Sequence, residues 1–241
     1  ETFGSPLLDQ AGNRDMFEEQ VEIIFKAFNH RSFSHHGKYY DIPPEVPYRG
    51  YDLKEITLVP RPKTLPVECW QPIQGGTGRA LDFMAKHQIK GIIGGGSAEG
   101  GAMDGTMVAF RDAWIRAGHP DVQMGENLSV GLPFFIAKTQ EDAIKEASKY
   151  YEENLKMFGP LRLTRGLSEQ QILDISDPKK APTAGLPTLA EAVRDGAVLC
   201  GPPEQIIESL KKVEERYPGL ERISVGQPVG TPQKVMLEQL E

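Results

Sequence analysis

The chain has 241 residues, and its 27 Lys and Arg residues against 34 Asp and Glu residues give a formal net charge of −7. This acidic balance argues against a nucleic-acid-binding platform and against binding to an anionic membrane surface. With 39% apolar and 25% charged residues, the composition is typical of a globular protein, and no run approaches the roughly 20 consecutive apolar residues of a membrane span.

The first predicted element is an amphipathic helix over 14–28, where apolar residues recur at helical spacing. The segment that follows is rich in Pro, Gly and Tyr and indicates short extended pieces. These pieces end in a predicted strand at 55–59, which Pro60 and Pro62 stop.

From residue 66 onward, apolar runs alternate with amphipathic segments. This alternation predicts an α/β fold with a parallel sheet that is buried on both faces. We expect one domain over 1–241, with a loop-rich stretch at 159–195. The predicted strands are 67–73, 90–93, 128–137 and 222–225, and the predicted helices are 79–87, 103–117, 139–157, 203–217 and one that begins at 231–232.

The first of two glycine-rich turns directly precedes the helix at 79–87 and is a candidate phosphate site. Glycines let the backbone approach an anion, and a helix start supplies unpaired amides and a positive dipole end. Thr77 adds a hydroxyl, and Arg79 adds a permanent positive charge and a guanidinium that can donate two hydrogen bonds to one phosphate. An ordinary strand-to-helix turn that needs positive φ is the alternative. The residues of this candidate site are Gln74, Gly75, Gly76, Thr77, Gly78 and Arg79.

The second turn, 94–101, contains five glycines and suggests either close backbone approach or mobility. It is not a Walker A loop, because no Gly-Lys-Ser/Thr follows. Ser97 is rejected as a nucleophile, since Glu99 stands where a nucleophile elbow needs glycine. Trp70 lies on the strand before the first turn, where either a planar ring stacks on it or it packs in the core.

Metal and disulfide sites are not predicted. His35 and His36 are adjacent, and no HExxH spacing occurs. Cys69 and Cys200 are isolated in apolar runs, which indicates buried thiols in a reducing compartment. Since no signal-peptide pattern is evident, we expect a cytoplasmic protein.

Four segments, in this order, resemble the bacterial luciferase-like monooxygenases, which are flavin-dependent (β/α)8 barrels. The helix at 17–24 is followed by 33–40 (FSHHGKYY), which is similar to the family's F-S-x-x-G-K-Y-Y stretch. Segment 58–62 (LVPRP) resembles its L-x-P-x-P lead-in to a strand. Segment 75–81 (GGTGRAL) resembles its G-S-P-R-S-L turn, and 201–207 (GPPEQII) resembles its G-x-P-E-x-V helix start.

The resemblance implies an oxidoreductase that acts on paired donors. Such an enzyme would use reduced FMN and O₂ to oxygenate a small organic substrate. It places the FMN phosphate at 75–79, with Trp70 and Arg14 as further cofactor contacts. A deazaflavin, coenzyme F420, is the alternative cofactor. The resemblance also implies a lid-type insertion at about 138–200, which would shield the reaction from water. We expect a flavin reductase as a possible partner, a homodimer when full length, and no nucleic-acid or membrane partner.

The match begins just before the family's fourth helix, so we expect the C-terminal half of a TIM barrel plus insertions rather than eight strand–helix units. The missing strands carry the family's catalytic residues, and the catalytic residues here are therefore unassigned. Two alternatives remain. One is an isomerase or aldolase on the same barrel, with Glu68 or Lys90 as base, and the other is a non-catalytic flavin-binding relative.

Overall fold

The computed structural model describes residues 9–45, 47–73, 77–159, 167–228 and 230–240. Contacts divide the chain into two units, 1–69 and 70–241. The helices are α1 (Gln10–Asn29), α2 (Gly78–Lys86), α3 (Ala102–Arg116), α4 (Gln140–Phe158), α5 (Glu169–Ile175), α6 (Leu189–Arg194), α7 (Pro203–Arg216) and α8 (Gln233–Glu238). The strands are β1 (His35–His36), β2 (Asp41–Ile42), β3 (Pro47–Tyr48), β4 (Tyr51–Asp52), β5 (Trp70–Pro72), β6 (Lys90–Ile93), β7 (Leu128–Gly131), β8 (Phe134–Ile136), β9 (Leu199–Gly201) and β10 (Arg222–Ser224).

The first unit consists of α1 and short extended pieces, as the sequence predicts. The strands pair as two antiparallel hairpins, β1 with β2 and β3 with β4. The predicted strand at 55–59 is wrong, because only Ile56 forms a bridge, with Phe33. Pro60 and Pro62 have no amide to donate, so a ladder cannot extend through them. Instead, the Arg61 guanidinium donates hydrogen bonds to the carbonyls of Ala27 and Phe28 at the end of α1.

The segment 33–40 folds around one carboxylate of α1. Glu19 accepts hydrogen bonds from the His35 ring at 3.0 Å and from the amides of Tyr39 and Tyr40 at 3.1 and 2.9 Å. A Cβ on Gly37 would lie 2.1 Å from Glu19 Oε1, so only glycine fits there. The F-S-x-x-G-K-Y-Y pattern therefore has a structural cause within this unit.

The second unit contains a four-stranded parallel sheet in the order β10-β7-β6-β5. Trp70 lies opposite Lys90, Gly91 opposite Leu128, and Ser129 opposite Arg222. Helices α2 and α3 follow β5 and β6 within one turn of the predicted positions. The parallel α/β prediction is confirmed.

The predicted strand at 128–137 is two strands in two different sheets. Pro133 separates them and cannot donate a ladder hydrogen bond. Beyond it, β8 pairs in parallel with β9, with Phe134 opposite Leu199. Strand β9 was not predicted, since the apolar run around Cys200 was interpreted only as the surroundings of a buried thiol.

The two edge strands of the four-stranded sheet meet through their side chains. The Arg222 guanidinium on β10 lies 4.7 Å from the centre of the Trp70 ring on β5. In a flat sheet these strands lie about 14 Å apart, three strand spacings. The contact is typical of a sheet that curls into the wall of a barrel.

The stretch after β8 is more helical than predicted. Thr139 caps α4 by accepting a hydrogen bond from the Asp142 amide, as expected from the sequence. Capping boxes at Ser168 and Thr188 start α5 and α6 inside the predicted loop. None of the helices in the described ranges is long and apolar enough to cross a membrane. The core of this part consists of Phe135, Ala143, Ala147, Leu189, Ala192, Val198 and Cys200.

Candidate functional site

The carboxyl ends of the four parallel strands define the candidate site. Ligands of parallel α/β proteins bind beyond these ends. The segments that lead away from them are the turn before α2, the glycine-rich segment 94–101, the residues after Gly131 and the segment 225–228.

The first turn of α2 is exposed and lacks a side-chain cap. Thr77 takes the cap position with extended backbone, but its side chain makes no capping hydrogen bond, and the first turn of α2 has no acidic residue. The first helical hydrogen bonds are donated by Ala80 and Leu81 to the Thr77 carbonyl, so the amides before them have no partner within the helix. Thr77, Gly78 and Arg79 are all exposed, which leaves this helix start accessible to a phosphate.

Three of the predicted phosphate-binding residues lie outside the described part of the chain. These are Gln74, Gly75 and Gly76. Their role stays a prediction.

Trp70 lies at the amino end of the sheet rather than at the glycine turn. It is the first residue of β5, and the centre of its ring lies 5.2 Å from Lys90 Nζ and 4.7 Å from the Arg222 guanidinium. Cation–π attraction to these two side chains stabilises the position of the ring. The prediction of a ring stacked on Trp70 is untested, while the observed contacts give the residue a packing role.

Arg14 lies in the first unit, on α1. Its Nε donates to Glu18 at 2.7 Å, and its guanidinium lies 5.2 Å from the centre of the Phe17 ring. The predicted phosphate contact of Arg14 stays a prediction.

The segment 94–101 is held by its neighbours at several points. The Gly96 amide donates to the Gly131 carbonyl at 2.7 Å, and the Ala98 amide donates to the Gly196 carbonyl at 3.0 Å. The Ser97 hydroxyl donates to the Asp195 carbonyl at 2.7 Å. A Cβ on Gly96 would lie 2.6 Å from Val130 Cγ1 and 3.3 Å from the Gly131 carbonyl oxygen, and this close approach accounts for glycine at position 96.

A buried tyrosine network, which the sequence analysis missed, joins the start of α3 to the end of α7. The Tyr217 hydroxyl donates to Asp104, which also accepts from the Gly101 amide at 3.1 Å. Burial and the adjacent carboxylate raise the pKa of Tyr217 to about 12. The hydrogen bonds from Tyr217 and Gly101 hold the pKa of Asp104 below its usual value. No sequence signal marks this pair, because its members are 113 positions apart.

Within the described ranges, no group of three or more His, Cys, Asp or Glu side chains could hold a metal ion. His35 contacts Glu19, and His36 contacts Asp41 on the neighbouring strand. Cys69 and Cys200 are both free thiols, the first partly and the second fully buried.

The family model described as luciferase-like monooxygenase matches residues 1–218. The chain belongs to the luciferase-like monooxygenase family. No curated protein matches the sequence.

Solved structures of this family share the fold. The monooxygenase RslO1 from Streptomyces bottropensis superposes with a TM-score of 0.65 at 14% identity, over 97% of this chain and 60% of that one. The oxygenating constituent of 3,6-diketocamphane monooxygenase from Pseudomonas putida, in complex with FMN, superposes with a TM-score of 0.55 at 19% identity. The match covers 94% of this chain and 63% of that one. The coenzyme F420 dependent tetrahydromethanopterin reductase from Methanopyrus kandleri superposes with a TM-score of 0.59 at 16% identity. The match covers 93% of this chain and 60% of that one. The chain thus spans about three fifths of the length of these relatives.

Proposed function

We propose that this protein is a flavin-dependent monooxygenase that binds FMN with its phosphate at the start of α2. The observation that carries the proposal is the open start of this helix at the carboxyl end of β5, in a chain of the luciferase-like family. Reduced FMN would supply the electrons that activate O₂ for transfer to a small organic substrate.

The residues at the start of α2 fit a phosphate. The Gly78 amide and the Thr77 hydroxyl can both donate to phosphate oxygens, and Arg79 adds positive charge beside the dipole of the helix. A Cβ built on Gly78 meets no atom of the described residues within 4 Å. The described part of the chain therefore leaves room for an anion at this helix start.

A pair of substitutions at Gly78 tests this assignment. Gly78→Glu adds a carboxylate where the phosphate would bind, whereas Gly78→Gln adds the same volume without charge. We expect FMN binding, measured by quenching of flavin fluorescence, to weaken at least about tenfold in the Glu variant relative to the Gln variant. Equal affinity of the two variants would exclude this helix start as the phosphate site.

Oxygen consumption separates a monooxygenase from a non-catalytic relative. With reduced FMN supplied by a flavin reductase, the proposed enzyme consumes O₂ faster when its substrate is present. Binding of FMN without any such response would favour the non-catalytic alternative.

Coenzyme F420 is the second cofactor candidate, because one of the similar structures is an F420-dependent reductase. Parallel titrations with FMN and F420 decide between them. Lys90 is the first residue of β6, so it lies at the end of the sheet opposite the usual active site of such barrels, and it contacts Trp70. This position does not favour Lys90 as the base of an isomerase or aldolase. The lid at 138–200, the homodimer and the cytoplasmic location remain proposals.

A further inference from the structure

A small cavity lies beneath α4, where β8 leaves Pro133 and the chain leaves β10. Its volume is about 160 Å³. An apolar cavity of roughly 150 Å³ is large enough to hold benzene. The described walls carry no charged side chain and include Phe135, Ala147, Tyr151, Leu189, Val198 and the segment 226–228.

Most of the wall residues belong to the buried core, which holds them in place. Phe135, Ala147 and Leu189 are each at most 3% exposed. The ring of Tyr151 packs against the same core cluster. A rigid apolar wall favours a ligand with an apolar body of matching size over a polar one.

Two polar groups of the described walls, the Tyr151 hydroxyl and Gln227 Oε1, are available to a ligand. Gln227 Nε2 donates to the Phe134 carbonyl at 2.9 Å, but its buried Oε1 has no hydrogen-bond partner among the described residues, whereas Asn154 already has a partner. The hydroxyl of Tyr151 makes no hydrogen bond with the described residues, and its one electrostatic neighbour there is Glu191. Burial and Glu191 both raise the pKa of Tyr151, so the hydroxyl stays protonated and acts as a donor.

We propose that this cavity binds a small uncharged organic molecule with an apolar body about the size of benzene and one oxygen that accepts a hydrogen bond from Tyr151. The cavity adjoins the candidate site, since the residues after Gly131 and the segment 226–228 line it, but the proposal adds a ligand other than flavin and its test needs no flavin. A failed test therefore leaves the assignment of the FMN phosphate untouched.

Two probes of the same ring size, cyclohexanone and cyclohexane, separate the apolar and the polar parts of this recognition. Their binding to the full chain is followed by ligand-observed saturation-transfer NMR. We expect saturable binding of both. Tyr151→Phe is expected to weaken cyclohexanone roughly 2- to 10-fold, the range of one lost neutral hydrogen bond, and to leave cyclohexane unchanged.

Two further variants complete the test. Tyr150→Phe removes a hydroxyl from the neighbouring residue, which does not line the cavity, and should leave both probes unaffected. Ala147→Leu fills the cavity and should abolish binding of both probes, with folding checked by circular dichroism. If Ala147→Leu fails to fold, the Tyr151→Phe comparison still decides. The proposal is overturned if neither probe binds saturably, if Tyr151→Phe binds cyclohexanone as tightly as the wild type, or if folded Ala147→Leu still binds the probes.

Discussion

Replacing Tyr217 by Phe measures the strength of the link between α3 and α7. Tyr217 is 3% exposed, and its ring stays in place in the variant, so the change removes its hydrogen bond to Asp104. A hydrogen bond to a charged group contributes about 1.5–3 kcal/mol. The Asp104 side chain is 42% exposed, so water replaces part of the bond. We therefore expect a loss of about 1–2 kcal/mol, which lowers Tm by roughly 2–8 °C in a protein of this size.

The effect of Tyr217→Phe depends on pH in a defined direction. The folded-state pKa of Tyr217, about 12, lies above its ordinary value of 10.0. The contribution of Tyr217 to folding stability is therefore complete below pH 10, its ordinary pKa, and is lost as pH rises toward its folded-state pKa. The pKa of Asp104 is lowered from 3.8, first by Tyr217, so its contribution is lost as pH falls below that value. The stability gap between wild type and variant should be widest between roughly pH 5 and 9.

Urea unfolding followed by tryptophan fluorescence is a suitable assay, because Trp70 and Trp114 both lie in the unit that contains Tyr217. Tyr150→Phe is the matched control, since its hydroxyl makes no hydrogen bond with the described residues. A Tyr217→Phe variant within about 0.5 kcal/mol of this control at neutral pH would refute the reasoning.

Two further predictions concern close packing and burial. A Cβ on Gly96 would lie 2.6 Å from Cγ1 of the buried Val130, so Gly96→Ala should lower the free energy of unfolding by about 1–3 kcal/mol. Gly94→Ala, whose Cβ meets no atom of the described residues within 4 Å, should unfold like the wild type. Equal Tm values for the two variants would contradict the packing argument. Burial raises the pKa of the Cys200 thiol to about 11, so a thiol reagent should modify the partly exposed Cys69 first, with Cys200 reacting only on unfolding. Equal modification rates by mass spectrometry would contradict this order.

The helices were the most predictable part of the fold, because their signals are local. Thr139 with Asp142 marks the start of α4, and Pro203 lies at the first position of α7. The boundaries of α2 and α3 likewise lie within one residue of the prediction. Capping and periodicity depend on residues a few positions apart, which a single sequence displays directly.

The errors in the predicted strands have one physical cause. Whether an apolar run forms a strand depends on a partner strand that is distant in sequence and on the backbone amides that can donate to it. Pro133 divides the run at 128–137, and the far half pairs with β9, more than 60 residues later. The contacts of Trp70 with Arg222 and of Asp104 with Tyr217 join residues that are still further apart in sequence. The start of α2 was predicted because its signal is local, whereas the surroundings of Trp70 could not be predicted from its position on a strand.

The affinity of FMN relative to riboflavin tests the central claim most directly, because the two flavins differ only by the phosphate. If the start of α2 binds the phosphate, wild type and Gly78→Gln should both prefer FMN, and Gly78→Glu should lose most of that preference while its riboflavin affinity stays unchanged. Equal affinities for FMN and riboflavin in the wild type, or a preference for FMN that survives in Gly78→Glu, would contradict the account.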